Sequence, residues 1–347
     1  MRFPAVAIVL LAARGAWAQD APPVFHATSE LVLLDVQVTH KKTNTAAPAV
    51  ERSQLRVWED GKPQEVSFLS RDQLPLSVVL LFDLTDSVRP VLKELAKGAR
   101  TALAHFKPED EIAVMDYAST ARLLDGFTKD RERTAEAIDR AAVDRWDEAA
   151  FFNESVFQAV AELKRSSNPS SRRVIVWLTD NLPNVPAEHI RASKGASVPP
   201  GALHTEDDAF QALHTEGVVV APLLLRSRWA LPFYSLIMAT EAPWRKGNPP
   251  GDAHKYAELT GAVSTELRGK DAERRLAELI DGLRSRYTIG YRPADGKAAG
   301  TFCKVKVELD SKGPLRPREW LVRTRSGYYA SKDGNRSATS SSLSSSR

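Results

Sequence analysis

Apolar and polar positions follow two different rhythms along the chain. From Leu31 to Ser70 the runs "ELVLLDVQVTH" and "QLRVWEDGKPQEVSFLS" are rich in Val, Leu and aromatic residues, and they predict β-strands. Asp60-Gly61 lies between two such runs, and this pair tolerates the positive φ of a tight hairpin. "THKKTNTAAPAVERS" is a polar loop. From Leu76 the rhythm changes. "LSVVLLFD" is a continuous apolar run, as expected of a strand covered on both faces. In the segment after it, Val88, Val91, Leu92, Leu95, Ala99, Leu103 and Phe106 fall at helical spacing, with Ser87 as N-cap and Pro90 in the first turn.

The alternation continues. "EIAVMDY", "ARLLDGF", "RRVIVWLTD", "GVVVAPLLL" and "AVSTEL" read as strands. "RERTAEAIDRAAV", "NESVFQAVAELKRS", "DDAFQALHTEG", "HKYAELTGA" and "DAERRLAELIDGLRSR" read as helices, and Gly217 stops the third of these. Strands that alternate with helices imply an α/β fold, a doubly wound, mostly parallel, Rossmann-like sheet with helices on both faces. After Arg286 the β rhythm returns in "YTIGYRP", "TFCKVKVEL" and "REWLVRTRSGYY". Neither β segment has enough strands to be stable alone. The expectation is that they join into a small sheet or sandwich with the α/β domain inserted between them; two unconnected β elements are the alternative. The layout is therefore a signal peptide at 1–18, an N-terminal β segment at 24–72, an α/β domain at 75–286, a C-terminal β segment at 287–330 and a disordered Ser-rich tail at 331–347.

Composition changes this picture little. Of 347 residues, 43% are hydrophobic and 27% charged, as in a folded soluble protein. The formal net charge of +4 carries no basic stripe, which argues against nucleic acid as a partner. The N-terminus supplies a localisation. Arg2, the apolar run Phe3–Ala13 and Ala16-Trp17-Ala18 form a secretory signal pattern cleaved between Ala18 and Gln19, so the protein is expected to be exported, to the periplasm or beyond. No second long apolar run predicts a transmembrane helix. Cys303 is the only cysteine, so no internal disulfide is available, and its alternating context makes it a small core residue.

The chemistry gathers at strand ends. Six of the seven residues Val78–Leu84 are apolar and the exception is Asp83; Thr85 and Ser87 follow at alternate positions. Ligands of open α/β sheets bind at the carboxyl ends of the strands, where both Asp83 and Asp180 fall. One turn can point Asp83, Thr85 and Ser87 to the same side, and Asp180 leaves a nearby strand. Hard oxygen donors of this kind suit Mg²⁺, Mn²⁺ or Ca²⁺ rather than Zn²⁺. The structural alternative is an N-cap, a turn residue and a carboxylate that accepts backbone N–H groups.

Asp83-Leu84-Thr85-Asp86-Ser87 resembles the metal-ion-dependent adhesion motif, D-x-S-x-S, of von Willebrand factor type A domains, and "VIVWLTDN" resembles that family's later strand. "LVLLDVQV", "FKPEDEIAVMDY", "FTKDRE", "LRSRYTIGYRP" and "RSGYYA" extend a similarity to the bacterial exported VWFA-related family over nearly all of the chain beyond the signal pattern. The resemblance implies a non-enzymatic module that binds a partner protein's carboxylate through Mg²⁺. Asp83, Thr85 and Ser87 would hold the metal, and Asp180 would act through water. Three departures stand out. Ala150 falls where the family has a metal-binding Thr, and its methyl cannot bind a cation. Asn181 replaces the Gly of "TDG". Asp86 adds charge between the hydroxyls, with Arg89 as its candidate offset. Asn153, Glu154, Asp147 and Glu148 are the candidates to compensate for Ala150.

Other readings are weaker. Strand-end aspartate phosphatases need D-x-D, and position 85 is Thr. No G-x-S-x-G elbow, Walker loop or H-E-x-x-H occurs. "ALHTE" appears twice, but a ten-residue offset on one helix leaves His204 and His214 about 80° apart. Arg316, Arg318, Arg323 and Arg325 read as a solvated strand edge or an anionic-glycan surface. The aromatic, Pro-rich stretch 229–251 reads as a recognition loop or a lid. The runner-up to metal-dependent adhesion is a metal-independent interaction or scaffold module with a vestigial site.

Overall fold

The computed structural model describes residues 31–71, 74–85, 87–143, 149–182, 204–225, 251–267, 271–293 and 297–330. The expected signal peptide, the Ser-rich tail, residues 229–250, Asp86, Asp147 and Glu148 lie outside them.

The described residues open with β1 (Val32–His40), β2 (Leu55–Glu59), β3 (Lys62–Gln64) and β4 (Val66–Ser70). The β2–β3 hairpin turns on Asp60 and Gly61, at φ 48° and 79°, as the Asp-Gly pair predicts. The α/β domain follows as β5 (Leu76–Asp83), α1 (Arg89–Ala102), β6 (Glu111–Tyr117), β7 (Ala121–Thr128), α2 (Arg131–Val143) and α3 (Phe152–Leu163). It continues with β8 (Arg172–Thr179), α4 (Glu206–Glu216), β9 (Val219–Leu225), α5 (Ala253–Thr260), β10 (Thr265–Leu267) and α6 (Ala272–Arg284). The described residues close on β11 (Tyr287–Tyr291), β12 (Phe302–Leu309), β13 (Trp320–Arg323) and β14 (Gly327–Tyr329).

The six-stranded sheet has the order β10-β9-β8-β5-β6-β7, parallel except for β7, which runs antiparallel to β6. Every residue of β5 is buried. Its alternate side chains feed two cores. Val78, Leu80 and Phe82 pack with Leu92 and Leu95 of α1, Ile138 of α2 and Ile280 of α6. Val79 and Leu81 pack with Val156 and Val160 of α3, Leu213 of α4 and Tyr256 of α5. A strand sandwiched this way has no polar face to offer, so its chemistry is displaced to its ends.

The terminal segments join. β13-β1-β11-β4 and β14-β12-β2-β3 form two four-stranded antiparallel sheets, each mixing strands from both ends of the chain. Val32, Leu34, Val36, Ile289, Tyr291, Val57, Val305 and Val307 lie in one shared core, which makes the pair a sandwich. Cys303 is buried in that core as a free thiol, in line with its alternating strand pattern. "REWLVRTRSGYY", expected as one strand, is two. β13 pairs with β1 and β14 with β12, because the chain turns at residues 324–326, where the Ser326 N–H donates to Leu259 O and Val305 N–H to Ser326 O. The Thr324 backbone lies so close to Gly261 that a Cβ there would sit 2.4 Å from the Thr324 carbonyl carbon.

Two further expectations need correction. His204 and His214 do not share a helix, since α4 starts after the N-cap Thr205. His204 stacks on Phe157 and contacts Glu154 at 2.7 Å, whereas His214 is buried in α4. Arg325 is no solvated edge residue: it is buried and donates to the carbonyls of Leu33 and His214. Among the described residues no helix is long and apolar enough to cross a membrane.

Candidate metal centre

Asp83 ends β5 and is fully buried. A carboxylate in that position needs donors, and it has four. Its Oδ1 accepts from the Thr85 N–H at 3.0 Å and the Thr85 hydroxyl at 2.7 Å. Its Oδ2 accepts from the Tyr117 hydroxyl at 2.8 Å and the Thr179 hydroxyl at 2.7 Å. The Trp177 indole N–H in turn donates to the Tyr117 oxygen at 2.9 Å. Burial raises the Asp83 pKa while the Thr179, Thr85 and Tyr117 hydrogen bonds oppose the rise. Burial and the Asp83 charge push the Tyr117 phenol well up, keeping it a neutral donor.

The motif residues converge. The Ser87 hydroxyl lies 3.1 Å from the Thr85 hydroxyl and close enough to Asp180 to favour its charged form. Ser87 is therefore not the N-cap of α1, as its place before Pro90 suggested. Val88 takes that position without a side-chain cap, and Arg89 and Pro90 open the helix. The Ser87 oxygen is turned toward the carboxylates instead. Asp180 follows β8, and its Oδ1 accepts from the Leu182 N–H at 3.0 Å. Its Oδ2 is buried and has no hydrogen-bond partner among the described residues. Burial first, then the charge of Asp83, push Asp180 up to about 7, against the pull of the Ser87 hydroxyl and the Leu182 N–H.

A buried and a half-buried carboxylate, one of whose oxygens is orphaned, converge with two hydroxyls, and no Lys or Arg pairs with them among the described residues. That donor set fits a hard divalent cation. Asp83, Thr85 and Ser87 would hold it and Asp180 would support it. The bound ion would supply a Lewis-acid position for an incoming oxygen ligand.

The departures also have local explanations. Ala150 is fully buried among Tyr117, Phe152 and Trp177, so its methyl completes an apolar wall. Asn153 and Glu154 serve neighbours. Asn153 Oδ1 accepts from the Tyr256 hydroxyl at 2.7 Å, and Glu154 binds Gln158 and His204. Asn181 has φ 61°, the left-handed region that Gly adopts freely and Asn tolerates. Its side chain bonds Asp252 Oδ1 and the Ala253 N–H, tying the end of β8 to the start of α5. Sequence reasoning missed Tyr117 and Thr179 as donors to Asp83. The signal lies in the strand register, which sets Tyr117 directly beside Asp83.

Fold and site together define a doubly wound α/β domain with an acid–hydroxyl cluster at the carboxyl edge of its sheet. Residues 78–182 match the family model of the von Willebrand factor type A domain, so the chain carries a domain of that type. No curated protein matches the sequence. Among solved structures, the von Willebrand factor type A protein from Catenulispora acidiphila is 12% identical, covering 89% of this chain and 76% of its own, at a TM-score of 0.43. The vWF domain of the type V pili tip protein Mfa5 from Porphyromonas gingivalis is 12% identical, covering 60% and 94%, at 0.41. Proximal thread matrix protein 1 of the mussel byssus, with a zinc-occupied MIDAS motif, is 14% identical, covering 66% and 50%, at 0.42.

Proposed function

We propose that this is an exported, non-enzymatic protein-binding module whose von Willebrand type A domain takes a partner's carboxylate through Mg²⁺, or Mn²⁺ or Ca²⁺ in its place. The observation that carries the reading is the buried, unpartnered Asp180 Oδ2 beside Asp83, Thr85 and Ser87. A cation relieves the repulsion of the two carboxylates and gives that oxygen a partner, directly or through water. Ser87 and Asp180 are half-buried while Asp83 and Thr85 are fully buried, so an incoming ligand approaches from the Ser87–Asp180 side. Ala150 leaves the cation one protein ligand short, which weakens the site and opens a further position to water or to the partner.

The test is calorimetric titration of Mg²⁺, Mn²⁺ and Ca²⁺ into the protein, Asp83→Ala and Ala150→Thr. The expected result is weak binding by the natural protein, none by Asp83→Ala and tighter binding by Ala150→Thr. No binding by the natural protein, with a gain in Ala150→Thr, means a vestigial site and leaves metal-independent interaction as the function.

A further inference from the structure

At the opposite end of the sheet from the metal centre, the sandwich meets the α/β domain over a second polar cluster. Asp35 of β1 accepts through Oδ2 from Arg172 Nε at 3.0 Å and Arg286 Nε at 2.8 Å. Arg172 Nη1 also donates to Leu283 O at 2.6 Å, and Arg286 Nη1 to Gly261 O at 3.0 Å. Arg173 Nη1 pairs with Glu216 at 2.7 Å. Beside these groups lies a cavity of about 70 Å³, lined by Asp35, Arg172, Arg173, Thr288 and Arg325 among others. A buried water needs roughly 10–15 Å³ on this measure, so the space holds several waters or one tetrahedral ion.

Residues that line this cavity carry buried polar atoms left without a partner among the described residues. Arg172 Nη2, Arg173 Nε and Arg325 Nε are buried N–H donors with no partner, and Asp35 Oδ1 is a buried acceptor with none. Arg172 is only 6% exposed and Arg325 only 8%. The charges do not balance either. Arg172, Arg173, Arg286 and Arg325 face Asp35 and Glu216, and Glu216 also serves Lys164. Burying a cation without a counter-charge is costly, and so is leaving a buried N–H unmade.

We propose that this cavity binds inorganic phosphate. Its unprotonated oxygens accept from the three arginines, and its remaining O–H donates to Asp35 Oδ1. Sulfate has the same shape and charge but no proton at neutral pH, so it leaves Asp35 Oδ1 facing an acceptor. The site therefore discriminates between the two ions. Because the cavity is lined by both the sandwich and the α/β domain, the bound ion cross-links them. Burial holds the Arg325 guanidinium below the usual arginine value, and an anion beside it offsets that penalty.

The experiment is titration calorimetry of sodium phosphate, sulfate and chloride into the full chain at pH 7.5 and matched ionic strength. It is repeated with Arg173→Gln, whose side chain touches the cavity from the surface side, and with Asp35→Asn. The expected result is one phosphate per chain, bound at least tenfold tighter than sulfate and weakened at least tenfold in Arg173→Gln. In Asp35→Asn the phosphate preference disappears, because the amide can donate to either ion. The proposal is overturned if phosphate gives no saturable heat at millimolar concentration, if sulfate matches it, or if Arg173→Gln binds as the natural protein does. Those results leave ordered water as the occupant. Asp35→Asn loses two arginine partners, so if it does not fold the first two comparisons decide.

Discussion

Asp83 is engaged by four donors before any cation arrives, while Asp180 keeps an oxygen with no partner. The two carboxylates therefore have opposite roles in the metal-free protein: one is satisfied, the other is a source of strain. Replacing Asp180 by Asn removes that strain. We expect the metal-free variant to be more stable by roughly 1–4 kcal/mol, read as a higher Tm. Any stabilisation by Mg²⁺ should disappear in the same variant. His214 supplies a pH dependence remote from the candidate metal site. Burial lowers its pKa below 6.5, with Arg325 contributing, against its hydrogen bond to Phe210 O. The folded protein thus prefers the neutral ring, and the unfolded chain takes up a proton first. The stability His214 contributes is present above about pH 6.5 and is lost as pH falls through its lowered folded value. Urea unfolding at pH 7.5 and pH 5.5 should show a smaller loss on acidification in His214→Gln. At this scale Asp83, Thr85, Ser87 and Asp180 were legible because hydroxyl and acid at alternate positions interrupt an apolar run. Tyr117, Thr179 and the Arg172–Asp35 cluster were not, because each is an ordinary residue made special only by what the sheet sets beside it.

Elements were legible wherever a periodic run was long. The helices that pack on β5 and the buried strands themselves follow from apolar spacing, and Gly217 closes α4 at φ 64° as its place predicts. The failures are short-range. Ser87 reads as an N-cap until the competing demand of Thr85 on its hydroxyl is known, and Val88 takes the cap position instead. The split of β13 from β14 depends on Thr324 resting against Gly261, a contact between elements distant in sequence. Gly261 has φ 76° and no room for a side chain, so Gly261→Ala meets both strain and backbone collision. We expect a loss of about 2 kcal/mol or more, seen as a lower denaturation midpoint. Gly61→Ala, at φ 79° with nothing nearby, meets backbone strain alone and should lose less.

At the scale of the whole molecule, both ends of the chain are needed to finish either sheet of the sandwich. β1 lies between β11 and β13, and β2 between β12 and β3. Removing residues 287–330 strips β1 of both its neighbours and exposes open edges. We expect that fragment to aggregate and to lose a cooperative thermal transition, while the intact chain elutes as a single species in size-exclusion chromatography. That the segments combine was readable from their strand count, since neither suffices alone. Which strand enters which sheet was not, because alternation fixes a strand's faces but not its neighbours.

The closure of the sandwich has a mechanical consequence. The α/β domain leaves from β4 and returns into β11, and these two strands are paired, Ser70 opposite Thr288. Tension applied across the sandwich enters at β1 and passes to β11 and β13 through their ladders, a route that bypasses the segment between β4 and β11, so the inserted domain stays unloaded until those ladders shear.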